Sequence, residues 1–306
     1  MLKAFFIALA KSKSIRRIAE HSHFGQKISK RFVAGMTVED LIRATEAVNA
    51  LGIHVTVDNL GENVTNRDEA LHSRDLYHQL LDEIDKRKLD ANVSCKLTHM
   101  GLDVDEQLAR EIVGGIVEHA VRIKSFVRID MEGSDYTQRT LDFTRELHRK
   151  PGFAGHVGTV LQSYLYRTEE DARLLCSEGI RIRLCKGAYK EPATVAFPHK
   201  KKVDDNYLKV AKQLVTSGVF HGLATHDEKI ICAMQQWTEA NNVPKSAFEF
   251  QMLHGIRRDL QEQLARDGWG MRVYVPFGTE WYPYYMRRLA ERPANVFFIA
   301  KNIFRS

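Results

Sequence analysis

Arg287 and Arg288 stand side by side in W-Y-P-Y-Y-M-R-R-L-A-E-R-P-A-N, residues 281–295, three and four residues after Tyr284. On a helix that spacing puts all three on one broad face. Two guanidinium forks beside an aromatic ring suit a small carboxylate with an apolar body, because the planar fork can hold both carboxylate oxygens at once. The ordinary alternative is a pair of surface contacts to Glu291, three or four residues further on. Helical spacing alone leaves the two readings balanced.

A second set of reactive side chains comes from extended runs. In N-V-S-C-K-L (92–97), Val93, Cys95 and Leu97 make the apolar face, so Lys96 turns the other way. The same alternation in F-V-R-I-D-M (126–131) sets Val127, Ile129 and Met131 against Arg128 and Asp130. In I-R-I-R-L-C-K (180–186) it sets Ile180, Ile182 and Leu184 against Arg181, Arg183 and Cys185, and in M-R-V-Y-V-P (271–276) Val273 and Val275 against Tyr274. Lys96, Asp130, Arg183 and Tyr274 all fall at or near the C-terminal ends of their runs. Together they could bind and orient an anionic substrate; the competing reading is an internal ion-pair network that only neutralises itself.

These four runs belong to a series of eight. The others are I-H-V-T-V-D (53–58), H-V-G-T-V-L-Q (156–162), F-H-G-L-A-T-H (220–226) and F-E-F-Q-M-L (248–253), with helical stretches between, for example 103–122, 136–148 and 227–241. Eight β-then-α alternations in about 250 residues predict an α/β fold, a (βα)8 TIM-type barrel, whose site belongs at the C-terminal strand ends. The expected organisation is a basic helical arm over residues 1–45, a barrel domain over 46–306, and a final helix covering the barrel mouth. A doubly wound sheet is the alternative, but there is no G-x-G-x-x-G; Gly152, Gly155 and Gly158 have the wrong spacing and precede a strand.

Composition narrows the class. The chain has 306 residues, 44% hydrophobic and 27% charged, enough for one long barrel. No apolar run approaches the roughly 18–20 residues of a membrane span. Residues 4–10, A-F-F-I-A-L-A, after Lys3, only faintly imitate a secretory signal. The net charge of +6 is concentrated in residues 1–32, where eight Lys or Arg face the single Glu20. Such an arm, with Phe5, Phe6, Ile7 and Leu9, reads either as a peripheral contact with an anionic membrane surface or as a solvated helix capping the body. Cys95, Cys176, Cys185 and Cys232 are far apart and form no C-x-x-C, which fits a cytoplasmic protein with its thiols packed inside. The thirteen histidines make no H-E-x-x-H or similar metal spacing. His199-Lys200-Lys201-Lys202 invites a nucleic-acid reading, but no binding module accompanies it, and a solvated loop is the plainer expectation.

The motifs are more specific than the geometry. Y-V-P-F-G-T-E-W-Y-P-Y-Y-M-R-R-L-A-E-R-P-A-N resembles the signature of the proline dehydrogenases. The resemblance continues, in family order, through S-C-K-L-T (94–98), R-I-D-M-E (128–132), V-L-Q-S-Y-L-Y-R (160–167), R-L-C-K-G-A-Y (183–189), A-T-H-D (224–227) and F-E-F-Q-M-L-H-G (248–255). It covers about residue 50 to the end and is closest to the short, single-activity bacterial form. It implies a distorted (βα)8 barrel holding FAD non-covalently, which oxidises L-proline to 1-pyrroline-5-carboxylate by hydride transfer from C5 to flavin N5. Electrons then pass to a quinone-type acceptor.

By motif, Met131, Gln162, Lys186, Gly187, Ala188, Thr225 and His226 are implied flavin contacts, and Gly187 is expected to let backbone approach the cofactor. Arg183 is implied near the reactive edge of the flavin, where positive charge stabilises the reduced form. Lys96, Arg287 and Arg288 are implied to bind the substrate carboxylate, with Tyr274, Tyr284 and Leu253 around the ring. Asp130 is implied to belong to the active site and is expected to orient the neighbouring cations. Asp227 departs from the family, many members of which carry Asn there. Related imino acids such as hydroxyproline, and the chemistry of methylenetetrahydrofolate reductase, remain the alternatives within the flavoenzyme class.

Overall fold

A computed structural model describes residues 32–61, 63–282, 284 and 286. All eight predicted strands are present, alternating with helices: α1 (Val38–Asn49), β1 (His54–Asn59), α2 (Arg67–Arg87), β2 (Ala91–Cys95), α3 (Glu106–Arg122), β3 (Val127–Ile129), α4 (Thr137–His148), β4 (Val157–Gln162), α5 (Thr168–Ser177), β5 (Arg181–Cys185), α6 (Lys200–Val215), β6 (His221–Ala224), α7 (Glu228–Ala240), β7 (Phe248–Leu253), α8 (Arg258–Arg266) and β8 (Gly270–Phe277). The strands form a closed barrel in sequence order, every pair parallel, with β8 returning to β1 through Val55 opposite Val273. The fold is a TIM-type α/β barrel.

Period-2 alternation drives the closure. Val93, Cys95, Val127, Ile129, Ile182, Leu184, Val273 and Val275 are all buried in one continuous core between strands and helices. Helices answer with period-3.6 stripes: α3 buries Leu108, Ile112, Val113, Ile116, Val117 and Ala120 on one face. Each of the larger side chains contributes about 1.5–3 kcal/mol of burial, and a charge in that stripe, as in Ile112→Asp, would work against the docking of this helix. Starts are fixed by caps: the Thr37 hydroxyl accepts from the Asp40 amide while the Asp40 carboxylate accepts from the Thr37 amide, and Asn66 and Asp105 cap α2 and α3.

The boundary expected between arm and barrel, at residue 45, falls inside α1. That helix sends Leu41 into the barrel core, and the segment before it is tied to β8, the Ala34 amide donating to the Pro276 carbonyl at 2.9 Å. The rest of the basic arm lies outside the described residues. Of the final helix, Trp281, Tyr282, Tyr284 and Met286 are described and helical; Arg287 and Arg288 lie outside the described residues.

Two sequence expectations are corrected. The lysine run is not a loop: Lys200, Lys201 and Lys202 open α6, where Lys200 pairs with Asp204 and Lys201 with Asp205 at 2.8 Å, each one helical turn away. The thiols are not uniformly internal either, for Cys95 is buried while Cys232 is exposed on the outer surface of α7.

Candidate active site

The inward faces carry more charge than a barrel lumen usually holds. At the C-terminal end, β1, β2, β3, β5 and β8 bring Asp58, Ser94, Lys96, Asp130, Arg183 and Tyr274 together. Asp130 is the hub. Its Oδ1 accepts from Arg183 Nη1 at 2.8 Å and from Ser94 Oγ at 2.7 Å, and its Oδ2 accepts from the Tyr274 hydroxyl at 3.0 Å. The carboxylate is thus gripped by three donors from three other strands.

Tyr274 stays a donor because burial, with the Asp130 and Asp58 charges beside it, pushes its hydroxyl well above the ordinary phenol range. Its ring lies 5.2 Å from the Arg183 guanidinium carbon. Lys96, one residue beyond β2, donates to Asp58 Oδ2 at 3.3 Å. Burial pushes the Asp58 carboxyl up, and the Lys96 ammonium opposes that shift. Asp58 is 1% exposed. It was not singled out from the sequence, although H-V-T-V-D alternates and sends Asp58 to the same side as Thr56.

A cavity of about 210 Å³ opens on this cluster, walled by Met131, Val160, Ala224 and Leu253, with Asp58, Lys96, Asp130, Arg183, Gln162, Ala188, Tyr274 and Tyr284 also on its lining. Met131 was sorted with the outward face by alternation, but β3 ends at Ile129 and Met131 faces the cavity instead. Tyr284 is buried there, as a lid residue should be. A larger hollow of about 890 Å³ lies alongside, and Lys96 lines both.

The other residues assigned by motif divide. Gln162 is 3% exposed and its Oε1 has no hydrogen-bond partner among the described residues, an orphaned acceptor in the cavity wall. Thr225 and His226 follow β6; the Thr225 hydroxyl accepts from the Asp227 amide at 3.0 Å, and His226 Nε2 accepts from the Leu253 amide at 2.9 Å, fixing the base of the β7 loop. Lys186 is held between Asp204 at 2.6 Å and Asp227 at 2.8 Å, so Asp227 is one of this lysine's two anions. Gly187 has φ +109°, and a Cβ there would overlap the Tyr164 ring. One close approach that requires glycine here is therefore to the Tyr164 ring.

A closed parallel barrel with a buried acid–base cluster and a cavity at its C-terminal mouth defines a (βα)8-barrel enzyme. The family model described as "Proline dehydrogenase" matches residues 41–301. Proline dehydrogenase 1 of Bacillus subtilis is 39% identical over 304 residues, covering 99% of both chains. Proline dehydrogenase of Deinococcus radiodurans is 38% identical over 300 residues, covering 97% of this chain and 96% of its own. Among solved structures, proline utilization A (PutA) from Bdellovibrio bacteriovorus superposes with a TM-score of 0.82 at 24% identity, over 94% of this chain and 36% of the longer one, a likeness of fold. The chain belongs to the proline dehydrogenase family.

Proposed function

We propose that this chain oxidises L-proline to 1-pyrroline-5-carboxylate, with FAD as a non-covalent cofactor and a quinone as the eventual acceptor. The observation that carries the reading is the pairing of Lys96 and Arg183 with buried carboxylates directly beside an apolar-walled cavity. The orphaned Gln162 Oε1 in that wall, next to Met131 and Ala224, fits a flat ligand with hydrogen-bonding edges. Met131, Gln162, Lys186, Gly187, Ala188, Thr225 and His226 would hold the flavin, with the Gly187 turn packed against Tyr164. Bound FAD would supply the two-electron acceptor for hydride from proline C5.

The residues of the chain do the rest. Lys96, with Arg287 and Arg288, neutralises the substrate carboxylate, while Leu253, Tyr274 and Tyr284 wall the ring and exclude water. Asp130 does not need to move a proton: its oxygens are already engaged, and its work is to aim Arg183 and Tyr274. Arg183 provides the positive field for the charge that accumulates on reduction.

The test is the visible spectrum of purified protein. A flavin band that bleaches on anaerobic addition of L-proline is expected; a colourless protein that gains no activity with added FAD would refute the reading. Arg288→Met should raise KM for proline by about tenfold or more with flavin retained, the loss of one charged hydrogen-bonding partner. The basic arm is the proposed peripheral contact with the membrane that holds the acceptor. Among the described residues no helix is long and apolar enough to cross a membrane. Removing residues 1–32 should abolish co-sedimentation with anionic liposomes, and unchanged binding would exclude that role for the arm.

A further inference from the structure

Below the mouth, Arg183 is held from a second direction. Its Nε donates to Gln251 Oε1 at 2.6 Å, while Gln251 Nε2 donates to Glu249 Oε1 at 2.7 Å. Glu249 Oε1 also accepts from Arg272 Nε at 2.6 Å, and Arg272 Nη1 donates to the Val55 carbonyl at 2.7 Å. The chain of contacts thus runs from β5 through β7 and β8 to β1. Every link is buried.

We propose that Gln251, oriented by Glu249 and Arg272, is a positioning residue that sets the plane of the Arg183 guanidinium. A planar group held only through Nη1 can swivel about that one bond; a second hydrogen bond at Nε, from another strand, removes the rotation. With Nε and Nη1 both engaged, Nη2 is the nitrogen left without a hydrogen bond to a described residue. An amide is the required side chain, since Gln251 must present an acceptor to Arg183 and a donor to Glu249. Glu249 decides which way the amide faces. Burial works against its charge, but the Arg272 guanidinium and the two hydrogen bonds hold its carboxyl below the ordinary range, leaving an acceptor only.

An independent feature supports the arrangement. β6 lies between β5 and β7, and there Gly222 is registered with both Arg183 and Glu249. A Cβ on Gly222 would overlap the Gln251 amide. The missing side chain is what lets Gln251 reach across an intervening strand to Arg183.

This inference rests on the proposed role of Arg183, so the experiment separates the two. In the FAD-loaded enzyme, Gln251→Leu is expected to lower kcat about tenfold, with KM for proline within about twofold, and to shift the midpoint potential of the bound flavin to more negative values. Glu249→Gln and Gln251→Glu should each impair turnover. The double variant exchanges donor and acceptor and should recover to within about threefold of the parent. Unchanged kcat and potential in Gln251→Leu, or a double variant no better than either single one, would overturn the positioning role. A parent protein whose flavin proline does not bleach would instead overturn the functional reading itself.

Discussion

Arg128 and Arg183 are two buried arginines in one lumen, a few residues apart along the barrel axis, and their surroundings differ in kind. Arg128, on the floor side, donates through Nη1 to the carbonyls of Thr159 and Arg181 and lies 4.7 Å over the Phe126 ring. Arg181 is stacked there too, between Phe126 at 4.3 Å and Phe220 at 4.9 Å. Arg183 instead faces a carboxylate, an amide and a cavity. Floor charges answered by backbone and rings hold the barrel closed; mouth charges answered by movable side chains beside a cavity are available for chemistry. Burial of charge alone does not separate the two, and the partners do.

The contrast can be broken experimentally. Arg183→Lys, which keeps the charge but loses the fork, should reduce kcat/KM on the order of 10²–10³-fold while the melting temperature barely moves, as measured by steady-state kinetics and calorimetry. Arg128→Leu should do the reverse. It leaves two buried carbonyls unanswered, costing about 3 kcal/mol and several degrees of melting temperature, with turnover per folded molecule within about twofold. Asp58→Asn tests the edge of the mouth cluster: Lys96 loses the Asp58 carboxylate, and KM for proline should rise about tenfold with flavin content unchanged.

The smallest effect concerns protons on the floor. His221 Nδ1 accepts from the Ile182 amide, and burial, with the charges of Arg128 and Arg181, pulls its pKa down to about 3. The unfolded chain therefore binds this proton first. Stability is little affected above an unfolded pKa of about 6.5 and falls as the pH drops below it, by about 1.4 kcal/mol from this residue at pH 5.5. Burial also pulls His99 and His254 down to about 4, so thermal melts from pH 7.5 to 5.5 should fall more steeply than this residue alone requires, and less steeply in His221→Gln than in the parent.

The barrel was legible because β-branched alternation is a local property repeated eight times. The mouth cluster was legible in part, for the alternation that turned Lys96 and Asp130 inward applies equally to Asp58 in I-H-V-T-V-D and to Glu249 and Gln251 in F-E-F-Q-M-L. What alternation cannot give is which inward groups meet, since Asp130 reaches Tyr274 across 144 residues of sequence. The lysine run reads as a loop from its charge density alone, whereas its acidic partners one turn ahead carry the helical signal. The packing of Gly187 on Tyr164 is hidden for a related cause: Tyr164 is distant in sequence and adjacent only once β4 and β5 pair.

The β1–β8 seam has a consequence for how the molecule is made. During synthesis β1 emerges first and β8 last among the strands, so Asp58 must wait for Tyr274, and the Val55 carbonyl for an arginine 217 residues away. Contacts of such separation form late and slowly. Until the seam closes, the nascent barrel exposes two unpaired strand edges, and the acid–base cluster exists only as scattered charges. Closure of the seam is then a precondition for assembling the cluster, so a chain stalled before β8 lacks the Asp130–Tyr274 contact.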